Sequence, residues 1–127
     1  MRLSASHKEA IGRASGGYKG GKRRWEWLDA SGRLFRFRSG WELRFAQRLT
    51  EARIVWQYEP HALLLSDGRI YLPDFFVEAW QAYIEIKGWH GWRTMEKYEL
   101  AVKDGHRVRL VTDPGIAIEE LAQLAAL

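Results

Sequence analysis

Asp74, Glu85 and Lys87, with Glu42 upstream, have the residue types and spacing that metal-assisted phosphodiester hydrolysis would use. Asp74 follows a proline in Tyr71-Leu72-Pro73-Asp74-Phe75-Phe76-Val77, and the other two lie in Tyr83-Ile84-Glu85-Ile86-Lys87-Gly88. Both segments are otherwise apolar, and a charge inside an apolar strand is costly to desolvate unless something compensates it. Alternate residues of a strand share a face, so Glu85 and Lys87 project together with Tyr83, while Ile84 and Ile86 face a core. Neighbouring strands lie about 4.8 Å apart, which lets Asp74 and Glu85 share one hard cation, with the Ile86 carbonyl as a backbone ligand. Mg²⁺ keeps several waters, so two carboxylates and a phosphate suffice. Such a cation activates water and polarises a phosphoryl oxygen. Lys87 would orient the nucleophile or stabilise developing negative charge. Glu42 would complete a second metal site or position water.

Each residue also has a plainer explanation. An E-x-K triplet is common on solvated strands, and Asp74 after proline could cap a turn. Glu42 falls at the third helical position after Ser39, where a capping box would use it. The conjunction of all three segments is what points to chemistry. Glu59 in Tyr58-Glu59-Pro60 reads as structural, with a charge facing the site as the alternative. His7, His61, His90 and His106 lack metal-site spacing, and with no cysteine in the chain zinc is disfavoured.

The elements that must position these groups follow from periodicity. Trp25–Leu28 and Arg33–Arg38 alternate around Asp29-Ala30-Ser31-Gly32, a hairpin signal. From Ser39 the period changes: Trp41, Phe45 and Leu49 recur as in a helix capped by Ser39. Ile54–Tyr58 is extended up to Pro60, and His61–Leu65, Arg69–Leu72, Asp74–Val77 and Ala82–Lys87 are successive strands, the first two joined by Ser66-Asp67-Gly68. Trp92–Asp104 is a helix closed by Gly105, followed by strand Arg107–Val111. The strand-helix-strand crossover predicts a right-handed parallel pair. The expected fold class is α/β (mixed α+β): helix, three strands, helix, strand, a mixed sheet flanked by helices. One domain over 25–127 comprises a hairpin at 25–38, a core at 39–111 and a C-terminal helix at 116–127, preceded by a basic, flexible arm at 1–24.

Charge is divided along the chain. Residues 1–38 carry ten Lys and Arg against three Asp and Glu, and residues 39–127 carry ten against thirteen. A basic front predicts contact with a polyanion. Tyr18, Lys19, Lys22, Arg23 and Arg24 among glycines suit a nucleic-acid backbone, and Arg36, Arg38, Arg93 and Lys97 are further DNA-binding candidates. Seven tryptophans mostly predict core, although Trp89 and Trp92, just past the Glu85 strand, could stack on splayed bases. No apolar run approaches the roughly 20 residues of a membrane span, so a soluble, cytoplasmic protein is expected.

The residues Arg38-Ser39-Gly40-Trp41-Glu42, Tyr58-Glu59-Pro60, Tyr71-Leu72-Pro73-Asp74-Phe75 and Ile84-Glu85-Ile86-Lys87-Gly88 resemble the PD-(D/E)XK nuclease superfamily. The resemblance runs from about Arg38 to Val111. Within the superfamily it is most like phage endonuclease I-type Holliday junction resolvases, and it is similar to the catalytic domain of TnsA-type transposase subunits. It implies a restriction-endonuclease-like core, Mg²⁺ or Mn²⁺, and Glu42, Asp74, Glu85 and Lys87 as the catalytic set. A homodimer acting on branched or four-way-junction DNA is implied too. Restriction- or repair-type cleavage, or a non-catalytic DNA-binding module on the same fold, are the alternatives.

Overall fold

The computed structural model describes residues 25–87, 92–113 and 115–126. The expected arm at 1–24 lies outside them. Strands β1 (Trp25–Leu28) and β2 (Leu34–Phe37) pair antiparallel, from Trp25 opposite Phe37 to Leu28 opposite Leu34. The turn between them is tied by Asp29, whose Oδ1 accepts the N–H groups of Ser31 at 3.0 Å and Arg33 at 2.9 Å. Gly32 closes it at φ +89°, where a side chain would be strained. Alternation along β2 buries Phe35 and Phe37 and exposes Leu34 and Arg36.

Helix α1 (Gly40–Glu51) starts where Ser39, in an extended conformation, accepts the Glu42 N–H at 3.2 Å. Its buried residues Glu42, Phe45, Ala46 and Leu49 follow the helical repeat and define the inward face. The central sheet has the order β3 (Trp56–Tyr58), β6 (Phe75–Val77), β7 (Ala82–Ile86) and β8 (Val108–Val111). Its first two pairings are antiparallel and the last is parallel. Helix α2 (Trp92–Lys103) makes the expected crossover between β7 and β8. It ends with the N–H groups of Gly105 and His106 on the Val102 and Ala101 carbonyls, both at 3.0 Å. This is a Schellman closure, with Gly105 at φ +98°.

One reading holds and one changes. Strands β4 (Leu63–Leu64) and β5 (Ile70–Tyr71) pair antiparallel across the Ser66-Asp67-Gly68 turn as expected, forming a hairpin apart from the central sheet. The hairpin lies against α2, where Lys97 Nζ donates to the Ile70 carbonyl at 2.8 Å and the Ser66 N–H to Asp104 Oδ2 at 2.8 Å. The C-terminal helix α3 spans Ile118–Ala125, shorter than 116–127, because Ile116 N–H first closes a turn onto the Asp113 carbonyl.

The sheet separates two apolar clusters. On one side β1, β2, α1 and α3 pack through Phe35, Phe37, Phe45, Leu49 and Leu121 onto Tyr58, Phe75, Val77, Ile84 and Ile86. On the other side Leu65, Tyr71, Ala101 and Val108 form a smaller cluster beneath α2 and the β4–β5 hairpin. The described residues therefore form a mixed α/β fold with a mixed sheet and helices on both faces.

Candidate functional site

The register of the sheet determines which charges meet. Phe75 stands opposite Ile84 in the β6–β7 pair. One step further along the same register, Asp74 falls opposite Glu85. The Glu59 N–H donates to the Asp74 carbonyl at 2.8 Å, which extends the β3–β6 ladder by one residue. Glu59, Asp74 and Glu85 thus occupy one row across three strands. Since Phe75 and Ile84 point into the larger core, alternation sends Asp74 and Glu85 to the other side together.

Helix α1 brings the fourth carboxyl to the strand ends. Glu42 Oε1 accepts the Tyr58 hydroxyl at 2.6 Å and the Arg38 N–H at 3.0 Å. Only half of a capping box forms, since the carboxylate bonds the N–H before Ser39 rather than that of Ser39 itself. All four acidic residues are buried: Glu42 is 7% exposed, Glu59 2%, Asp74 8% and Glu85 5%. Arg38 supplies a counter-charge, its Nε 3.2 Å from Glu59 Oε2. Burial works against the Arg38 charge, but Glu59, Tyr58, Glu42 and Asp74 outweigh it and raise its pKa.

Asp74 and Glu85 are each held by one oxygen. Asp74 Oδ2 accepts the Ile86 N–H at 2.7 Å, and Glu85 Oε1 accepts the Tyr71 hydroxyl at 2.8 Å. Burial pushes the Asp74 carboxyl well above its usual range, with Glu85 and Glu42 adding repulsion. Burial likewise raises Glu85, from 4.5 to about 8; the Tyr71 hydrogen bond opposes the rise, while Glu42 and Glu59 add to it. Burial first, then the charge of Glu85, also raises the Tyr71 pKa, so its hydroxyl stays protonated and donates to Glu85. Burial and the repulsion between neighbouring carboxylates thus work against both groups being charged together.

No protein-family model matches the sequence, and no curated protein matches it.

The donor types present are those that a hard divalent cation takes. Asp74 Oδ1 and Glu85 Oε2 remain for it once the other oxygens are engaged. In the same register Pro73 would stand opposite Ile86. Proline has no N–H, so the Ile86 carbonyl lacks a ladder donor on that side and can serve as a ligand. Among the described residues no group of three or more His, Asp and Glu side chains forms a ready metal cage. Two carboxylates and a carbonyl would suit only a cation that retains water.

The other candidates distribute unevenly. Lys87 lies one residue beyond β7, half-buried, with its N–H on the Val111 carbonyl at 2.9 Å. Arg38 is turned toward the carboxylates and is 35% exposed. Arg36 pairs with Glu26 on the outer hairpin face at 3.2 Å. Lys97 is engaged at the β4–β5 hairpin. Tyr18, Lys19, Lys22, Arg23, Arg24, Trp89, His90 and the side chains of Trp92 and Arg93 lie outside what is described.

Sequence reasoning underweighted Glu59 and missed the two tyrosine donors. Glu59 is buried in the carboxylate row at φ +50°, a conformation that non-glycine residues adopt at a cost and that concentrates at functional sites. A glutamate between an apolar strand and a proline was the available signal. Tyr58 and Tyr71 had one too, since a buried tyrosine requires a partner for its hydroxyl.

Proposed function

We propose that the protein is a divalent-metal-dependent DNA endonuclease with a restriction-endonuclease-like core, acting on branched DNA such as a four-way junction. The observation that carries this reading is the alignment of Asp74 opposite Glu85, each with one oxygen tied down and one left over. When bound, Mg²⁺ or Mn²⁺ supplies Lewis acidity at the phosphoryl oxygen and lowers the pKa of water.

The chain's own residues do the rest. The Ile86 N–H and the Tyr71 hydroxyl fix the two carboxylates, so little reorganisation is needed when a cation arrives. Tyr58 and the Arg38 N–H fix Glu42 at the rim, where Oε2 can orient a water. Lys87 shares the strand face of Glu85 and stabilises charge developing on the phosphate. Arg38 keeps the acidic cluster from repelling a polyanion outright. The basic residues before Ser39 supply attraction to DNA that carries no sequence information. Two copies in a symmetric dimer would place paired cuts across a junction.

Cleavage of an end-labelled four-way junction tests the reading. With Mg²⁺ the wild type cuts, while Asp74→Asn and Glu85→Gln bind the junction and lose roughly 10³-fold in rate. Undiminished cleavage by either variant contradicts the assignment.

A further inference from the structure

The sheet face that carries Glu85 is covered unevenly. Helix α2 and the β4–β5 hairpin pack over Tyr83 and Val108, but Phe76, at the same level on β6, belongs to neither apolar cluster. Gln57, Phe76, Tyr83 and Val108 are successive cross-strand neighbours. Their row lies one pleat repeat, about 6.8 Å, from the row of Glu59, Asp74 and Glu85, and on the same face. His61, exposed and two residues past Glu59, completes a ring cluster there. Its ring is 5.8 Å from Phe76 and 5.9 Å from Tyr83, edge-on to both, and the Phe76 and Tyr83 rings are 4.9 Å apart.

The cluster is polar at its outer edge. His61 Nδ1 and the Tyr83 hydroxyl are 2.9 Å apart. When the phenol donates to Nδ1, the ring hydrogen of neutral His61 sits on Nε2, away from Tyr83. Half-buried ring faces and an N–H donor stand together beside the carboxylates. A paired base in duplex DNA offers only its edges in the grooves, whereas a base that has left the stack can use an aromatic face.

We propose that Phe76, Tyr83 and His61 form a subsite for an unpaired nucleotide adjoining the phosphate at Asp74 and Glu85. The subsite rests on the endonuclease reading and names its substrate class: DNA with a splayed or unpaired nucleotide next to the cut. Phe76 supplies the stacking face, and His61 Nε2 donates to the base edge or the neighbouring phosphate.

The test measures binding without cleavage, in the Asp74→Asn protein without metal, using 2-aminopurine placed at the unpaired position of a flap. A fully paired duplex of the same sequence is the comparison. Phe76→Leu keeps apolar bulk and lacks the ring; it should weaken flap binding roughly tenfold and leave duplex binding within about twofold, with loss of 2-aminopurine quenching. His61→Ala should act in the same direction, and an unchanged thermal midpoint shows that both variants fold. Equal weakening on flap and duplex, or no weakening on either, overturns the subsite. Wild-type cleavage with Mg²⁺ is scored separately: no cleavage with intact flap discrimination defeats the endonuclease reading alone, and cleavage without discrimination defeats the subsite alone.

Discussion

On one face of the central sheet, Phe75 is wholly buried among the rings of Phe45, Tyr58, Trp56 and Phe37, at 5.2, 5.4, 5.7 and 6.2 Å. One residue away along the chain, Asp74 is also buried, but beside Glu85, Glu42 and Glu59. The first environment is satisfied by the protein alone. The second concentrates carboxyl groups, so that burial and neighbouring charge raise the pKa of Asp74 and Glu85, with Arg38 as counter-charge. Because strand residues alternate, the apolar face fixes the register of the acidic one: a slip of one residue would turn Phe75 outward and Asp74 into the core. The core thus sets the geometry of the acidic cluster, and burying those carboxyls costs stability.

The largest effect on this contrast should come from the apolar side. Phe75→Ala removes a ring with no polar function and should cost about 3–5 kcal/mol in urea unfolding. Because register depends on it, metal binding should fail in the same variant at temperatures where part of the fold persists. Preserved site function in a protein destabilised by that much would mean the two faces are independent.

A change on the acidic face should act in the opposite sense. Folding raises the Glu85 pKa from 4.5 to about 8, so between those values the folded chain holds a proton that the unfolded chain has released. The contribution of Glu85 to stability is therefore fullest below pH 4.5, falls as pH rises toward 8, and levels off above it. Thermal melts of the metal-free protein should show a lower midpoint at pH 8 than at pH 5. Glu85→Gln should flatten that slope and raise the midpoint at pH 8. A wild-type midpoint that climbs over this range would contradict the electrostatic picture.

A smaller effect separates holding a carboxylate from supplying one. Tyr71→Phe deletes the hydroxyl on Glu85 Oε1 and keeps the ring in its apolar cluster. Mn²⁺ affinity should drop about tenfold with little change in fold stability, as for other partners that orient a ligand. An unchanged affinity would show that Glu85 is positioned by its strand alone.

Much of this contrast was legible in the chain. Ser39 and the spacing of Phe45 and Leu49 define α1, although Trp41, expected on the same face, is exposed; alternation in β7 separates Ile84 and Ile86 from Glu85. The pairing of Asp74 with Glu85 was expected only as a neighbourhood. Its register depends on the 3-10 turn at Glu78–Trp80 and on Gln81 at φ +49°, and neither is written in a local pattern. The pairing of β4 with β5 was legible in the Asp67-Gly68 turn, but the docking of that hairpin on α2 is a tertiary preference invisible to periodicity. Glu59 was hidden for a similar reason. Its left-handed backbone runs against the extended preference of a residue before proline, and its ion-pair partner Arg38 lies twenty-one positions earlier.

Isothermal titration of Mn²⁺ at pH 7, repeated in buffers of different ionisation enthalpy, tests the central claim most directly. If Asp74 and Glu85 jointly clasp one cation, binding must displace protons that the raised pair holds, and comparison between the buffers should report proton release on binding. In Glu85→Gln both the tight heat and the proton release should disappear. Binding with no proton released, or an unchanged titration in Glu85→Gln, would show that the two carboxyl groups do not share a cation.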